Sequence, residues 1–250
     1  MANWNDPQPP QTGFGASPSL NGEAINKAGG IAGATYDQGL RKHMLSIYNY
    51  MASGVLLSGI VALLFEPVAK GMIVSGNPLL WLIILAPLAF IFFFSPRRET
   101  STLQVMFWAF CVVMGLSLAT VIARFTGESV ALTFFAAAGA FAGLSLVGYT
   151  TKKDLSAMGA FMTMGLIGII IAMVVNIFVG SSALAMAISV LGVLIFAGLT
   201  AWDTQRLKQE YHHLAGTEFA GKAIILGALT LYLDFINMFQ FLLSLLGSRE

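Results

Sequence analysis

Between residues 223 and 246 the chain is apolar for long enough to cross a bilayer, and Asp234 stands in the middle of that stretch. A charged, unpaired carboxylate at the centre of a span costs roughly 2.5–3.5 kcal/mol on insertion scales. A residue this unfavourable marks an ion path, a proton relay or a buried partner. The whole chain is 57% hydrophobic and 10% charged, where a soluble domain carries about 25% charge. That composition describes an all-α, polytopic membrane protein in contact with lipid. The net charge of +1 provides no bulk field to recruit nucleic acid.

Seven runs qualify as spans by hydropathy: about 44–65, 79–94, 103–123, 130–149, 155–179, 183–202 and 223–246. Pro87 predicts a kink in the second. With the N-terminus inside, the cytoplasmic segments hold Lys27, Arg41, Lys42, Arg97, Arg98, Lys152, Lys153, Arg206, Lys208 and Lys222. The opposite side holds Lys70, Arg124 and Arg249. Ten against three places the N-terminus in the cytoplasm and the C-terminus outside, and it favours an odd number of crossings. Residues 1–40 are polar and rich in Pro, Gly, Asn and Ser, so a disordered cytoplasmic tail is expected ahead of a membrane domain over 41–250. The tail has no apolar core before a small-residue cleavage site, so the first span is expected to act as the insertion signal.

Within span four, Gly139 and Gly143 form a Gly-xxx-Gly step, which predicts a tight internal helix contact ahead of an oligomer interface. Met158, Met162, Met164 and Met173 read as core filling, and Cys111 as a small core or lipid-facing residue. No Cys and His cluster suggests zinc. His212 and His213 are placed in a cytoplasmic loop over 208–222. No catalytic constellation is found, neither a Gly-x-Ser-x-Gly elbow, nor His-Glu-x-x-His, nor a phosphate loop. An enzyme is not expected.

On span seven, Thr230, Asp234 and Asn237 fall on one helical stripe, as expected of polar residues facing the bundle interior. The other acid at membrane level is Asp203, at the end of span six, near Thr200 and Arg206. At a helix end such a carboxylate ordinarily sees solvent or pairs with a neighbour, here Arg206 at i+3. Two carboxylates brought together in low dielectric cannot both ionise easily, and they titrate as a unit. Such a pair can sense pH, and it can offer oxygen ligands to Ca²⁺. Hydropathy argues mildly against their meeting. Asp234 lies about 16 Å into its run, while Asp203 sits at the edge of its own.

Three segments resemble the Bax inhibitor-1 family of membrane proteins. They are Gly148-Tyr-Thr-Thr-Lys-Lys-Asp154-Leu-Ser-Ala-Met-Gly159, Ala201-Trp-Asp203-Thr-Gln205 and Leu231-Tyr-Leu-Asp234-Phe-Ile-Asn237-Met-Phe. The resemblance implies a seven-helix bundle with the seventh helix central. It also implies a pH-sensitive calcium leak through an aspartate pair matching Asp203 and Asp234, with Thr230, Asn237, Thr200 and Arg206 in support. Asp203 and Asp234 are then also the candidate calcium ligands, calcium being the transported ion and no cofactor being expected. The family's basic latch on span two has no counterpart before Arg97 and Arg98. Bacterial relatives are linked to the FtsH-type membrane protease, as substrate or modulator, and a non-transporting role of that kind is the alternative function. Vertebrate members act at the endoplasmic reticulum and carry a Lys-rich C-terminal tail. This chain ends Gly247-Ser-Arg-Glu250, so a bacterial plasma (inner) membrane is expected.

Overall fold

A computed structural model describes residues 22–249 apart from Pro96, with side-chain surroundings from Gln38 onward. Among the described residues the elements are seven helices: α1 (Gly22–Val74), α2 (Leu79–Ile91), α3 (Thr100–Ile122), α4 (Gly127–Thr150), α5 (Ser156–Val179), α6 (Ser182–Leu214) and α7 (Ala220–Leu246). Of the tail expected to be unstructured, residues 1–21 lie outside the described residues, and the backbone is helical from Gly22. Residues 40–250 form one compact unit. The packing below is that of this unit.

Six helices are long and apolar enough to cross a bilayer. Their outward faces carry side chains that only lipid can cover, such as Leu64 at 76%, Ile177 at 76% and Phe178 at 85% exposure. The chain is a multi-pass membrane protein. The second expected span falls short. At 13 residues α2 extends about 20 Å at 1.5 Å per residue, against about 30 Å of hydrocarbon. It ends at Ile91, and Phe92 and Phe93 turn away instead of continuing to residue 94.

Local sequence explains the tight hairpins. Gly180 closes α5 in the left-handed region, at φ 65°, where a side chain would be strained. Ser181 then caps α6 by accepting a hydrogen bond from the Leu184 backbone N–H at 3.3 Å. At the far end of α3, Thr126 caps α4, and its own backbone N–H donates to the Ser248 carbonyl at 2.9 Å. The C-terminus and the α3–α4 loop therefore share one end of the bundle.

α7 packs against α3, α4 and α6, and α1 side chains reach it as well. α2 packs on α3 and α5 on α6, further out than a ring of six around α7 would put them. The α1–α3–α7 junction is organised around Tyr232, which is fully buried. Its hydroxyl lies 2.6 Å from Ser58 Oγ, and Ser58 Oγ donates to the Cys111 carbonyl at 2.7 Å. A hydroxyl has one proton to give, so Ser58 accepts from Tyr232 while donating to Cys111. Phe107 and Phe110 meet the Tyr232 ring edge-on, at 6.1 and 5.9 Å. Tyr232→Phe keeps the ring packing and removes the hydrogen bond. It is expected to cost about 1 kcal/mol, readable as a small drop in melting temperature in detergent.

Two packing expectations are corrected. Gly139 and Gly143 are exposed, and a side chain at either would meet nothing within 4 Å. The buried face of α4 is Ser129, Thr133, Ala137, Phe141, Ser145 and Gly148. Gly139 and Gly143 fall off that face by helical rotation. Among the methionines, Met164 and Met173 face outward at 71% and 43% exposure, so they do not fill a core, whereas Met162 packs over Gly198.

Candidate functional site

The site is built on the α6–α7 hairpin. α6 does not stop where its apolar run ends but continues eleven residues past Asp203, to Leu214. α7 begins at Ala220, fourteen residues before Asp234. At 1.5 Å per residue the two acids lie about 17 and 21 Å from the turn that joins their helices. They are therefore level across an antiparallel pair. The depth conflict read from hydropathy is resolved by helix extension. His212 and His213, expected in a loop, belong to the last turn of α6.

Asp203 and Asp234 are each 4% exposed, and their carboxyl groups are close enough to interact directly. Arg206 Nη2 lies 2.7 Å from Asp203 Oδ1. That N–H is not aimed at the oxygen, so the contact is one of charge. Asp203 Oδ1 and Asp234 Oδ2 receive no hydrogen bond from any described protein group. The Arg206 guanidinium also lies 4.9 Å over the Trp202 ring and is 44% exposed.

The other expected supporting groups turn away from the pair. Thr230 Oγ1 donates to the Leu226 carbonyl at 3.1 Å, Asn237 Nδ2 to Leu233 at 2.8 Å and Thr200 Oγ1 to Phe196 at 2.7 Å. Each bonds to a carbonyl four residues earlier in its own helix, a common fate of polar residues in apolar helices. Of the stripe on α7, only Asp234 is fully buried.

An open cavity of about 490 Å³ lies between the pair and the α6–α7 turn, lined by Arg206, Glu210 and His213 of α6 and by Ala223, Gly227 and Thr230 of α7, among others, and by neither acid. Arg206 stands between this cavity and Asp203. Among the described residues no three carboxylate, His or Cys side chains gather as a metal site. Two carboxylates supply at most four oxygens, fewer than the six to eight of a resident Ca²⁺.

The family described as "Inhibitor of apoptosis-promoting Bax1" matches residues 40–250. An uncharacterized protein of Caulobacter vibrioides is 47% identical over 236 residues, covering 88% of this chain and 93% of that protein. An uncharacterized protein of Rickettsia prowazekii is 43% identical over 222 residues, 86% and 93% of the two chains. The inner membrane protein YbhL of Escherichia coli is 40% identical over 219 residues, 85% and 94%. The chain belongs to the Bax inhibitor family.

In this Bax inhibitor protein the three resembling segments meet around Asp203. Gly148 of α4 lies against the Ala201 carbonyl, and Gly159 of α5 against the Trp202 ring, so closely that a Cβ at either would overlap them. Gln205 clasps the α4–α5 loop, its Nε2 donating to the Lys153 carbonyl at 2.8 Å and its Oε1 accepting from the Leu155 N–H at 2.9 Å. Asp154 accepts from Ser156 Oγ at 2.6 Å and from its N–H at 2.9 Å. Those bonds hold its carboxyl below the ordinary value, the hydroxyl contributing most. Lys208 Nζ donates to the Tyr149 carbonyl at 2.8 Å. Sequence reading did not single out these positioning roles for Gly148, Gly159 and Gln205. Their signal was present: each lies inside a resembling motif yet has no chemistry of its own to explain it.

Proposed function

We propose that this chain is a pH-sensitive cation leak pathway for calcium in the plasma membrane, gated by Asp203 and Asp234. The observation that carries the reading is two buried carboxyls, on neighbouring helices and close enough to interact, beside one arginine. In this reading the two carboxyls share one proton, because both cannot easily ionise side by side in low dielectric, and Arg206 balances the one remaining negative charge. Losing that proton puts two like charges side by side in low dielectric. Gaining another leaves none. Either change alters the attraction between α6 and α7. In this reading Asp234 Oδ2, which receives no hydrogen bond, meets a hard cation in transit, and Asp203 Oδ1 joins it when Arg206 moves off; the cavity beside Arg206 supplies the entry. Purified protein in proteoliposomes should pass calcium with a rate that varies with pH when followed from about pH 6 to pH 8. A folded protein that passes no calcium at any pH would turn the reading to a non-transporting regulator or substrate of an FtsH-type membrane protease.

All seven helices cross in this reading, with α7 innermost and α2 completed by its flanking residues. The support is charge. If α2 did not cross, Arg97 and Arg98 would share a side with Lys70, and the ten-to-three bias would dissolve. The Escherichia coli relative bears the name of an inner membrane protein, which supports the same membrane here. A C-terminal alkaline phosphatase fusion should be active and a C-terminal fluorescent fusion dark. The reverse pattern would remove a crossing, with α2 the one to lose.

A further inference from the structure

Between α1 and α4, on the opposite side of α6's acid-bearing turn from the cavity beside Arg206, lies a second and larger crevice of about 620 Å³. Its walls are apolar, including Met44, Leu45 and Met51 of α1 and Phe141, Ala142 and Leu146 of α4. Its mouth is different. Arg41 and Tyr149 line it there, Lys42 is exposed beside Arg41, and Lys208 is held against Tyr149, 4.9 Å over its ring. No acid lines the crevice, and Arg41 has no ion-pair partner among the described residues. An apolar slot open to the bilayer, with cations at one end that no acid among the described residues pairs with, has the two-part chemistry of a lipid with a negative headgroup.

We propose that this crevice binds an anionic phospholipid from the leaflet at the Arg41 end, one acyl chain between α1 and α4 and the phosphate at Arg41. Basic pockets between membrane helices suit such headgroups, because each cation near the surface adds attraction to an anionic lipid. A zwitterionic lipid would set its own cation against Arg41 and Lys42. The floor of the crevice leads to the acid pair's helix. Tyr48 and Thr204 hydroxyls lie 3.4 Å apart, and Thr204 Oγ1 donates to Ser145 Oγ at 3.4 Å. Thr204 directly follows Asp203, so the bound chain would press on the strut that carries it. The binding claim stands without the leak reading.

The test is native mass spectrometry of the purified full chain, titrated with phosphatidylglycerol or phosphatidylcholine of matched chains. Wild type should bind phosphatidylglycerol about five- to thirtyfold more tightly, the gain expected for one or two basic groups. Arg41→Gln should remove most of that preference, and Arg41→Lys should keep it. Ala142→Trp, which fills the slot from an exposed position, should weaken binding of both lipids. Equal affinity of wild type for the two lipids would overturn the proposal. So would a preference untouched by Arg41→Gln, or phosphatidylglycerol binding untouched by Ala142→Trp, since the last means that the headgroup binds without its chain.

Discussion

Asp234→Asn is expected to flatten the pH dependence of calcium flux while leaving the protein folded. Asparagine keeps the shape and a hydrogen-bonding group, but it cannot take part in a shared proton. Asp203 then remains as a lone carboxylate beside Arg206, 2.7 Å away, and the pair has no shared proton left to exchange. No charge has to be buried at position 234, so the melting temperature should hold or rise. Asp203→Asn should have a related effect on gating, because it too leaves one carboxyl and no shared proton. The double variant should resemble a single one. Residues in direct contact commonly show interaction energies of about 0.5–3 kcal/mol in a double-mutant cycle. The cycle is read on calcium flux into proteoliposomes from about pH 6 to pH 8. Independent, additive effects would mean that the acids do not act as one site, and the leak mechanism would lose its main support.

The second large effect is expected away from any charge. Gly148→Ala and Gly159→Ala each place a methyl group where the Ala201 carbonyl or the Trp202 ring already stands. A backbone carbonyl in mid-helix cannot swing aside, and an indole wedged between helices has little room. Overpacking of this kind costs typically 1–3 kcal/mol, a drop of roughly 2–12 °C in melting temperature for a chain of this size. Because both glycines press on the turn before Asp203, the pH profile of flux should shift as well. Gly139→Ala is the control. It has nothing within 4 Å, and alanine is the better helix former by about 1 kcal/mol, so the variant should be as stable as wild type or more so. If Gly148→Ala and Gly139→Ala melted alike, the close approach of α4 to α6 would not be a feature of the folded protein in detergent.

Much of this protein is legible from the order of its residues. Apolar runs long enough to span, separated by short loops with basic pairs, dictate a helical membrane bundle, because lipid offers the backbone no other hydrogen-bond partners. Asp234 announces itself by standing where a charge is unfavourable. The segments around Gly148, Asp203 and Asp234 mark the family, and those same segments come together in space. What hydropathy cannot see is where a helix ends once it leaves the apolar run. The Arg206–Leu214 stretch is polar, so it reads as loop. It is helical because it packs against the first turns of α7, and that extension alone brings Asp203 level with Asp234. Nor can periodicity choose which small or polar residues face inward. Gly139 and Gly143 carry the spacing of a tight contact but face outward, while Gly148 and Gly159, with no such spacing, make the closest approaches to α6. Thr230 and Asn237 share a stripe with Asp234 yet spend their hydrogen bonds on their own helix. These choices depend on how far each neighbouring helix is rotated and how closely it approaches. Many contacts set that together, and no single stretch of sequence encodes it.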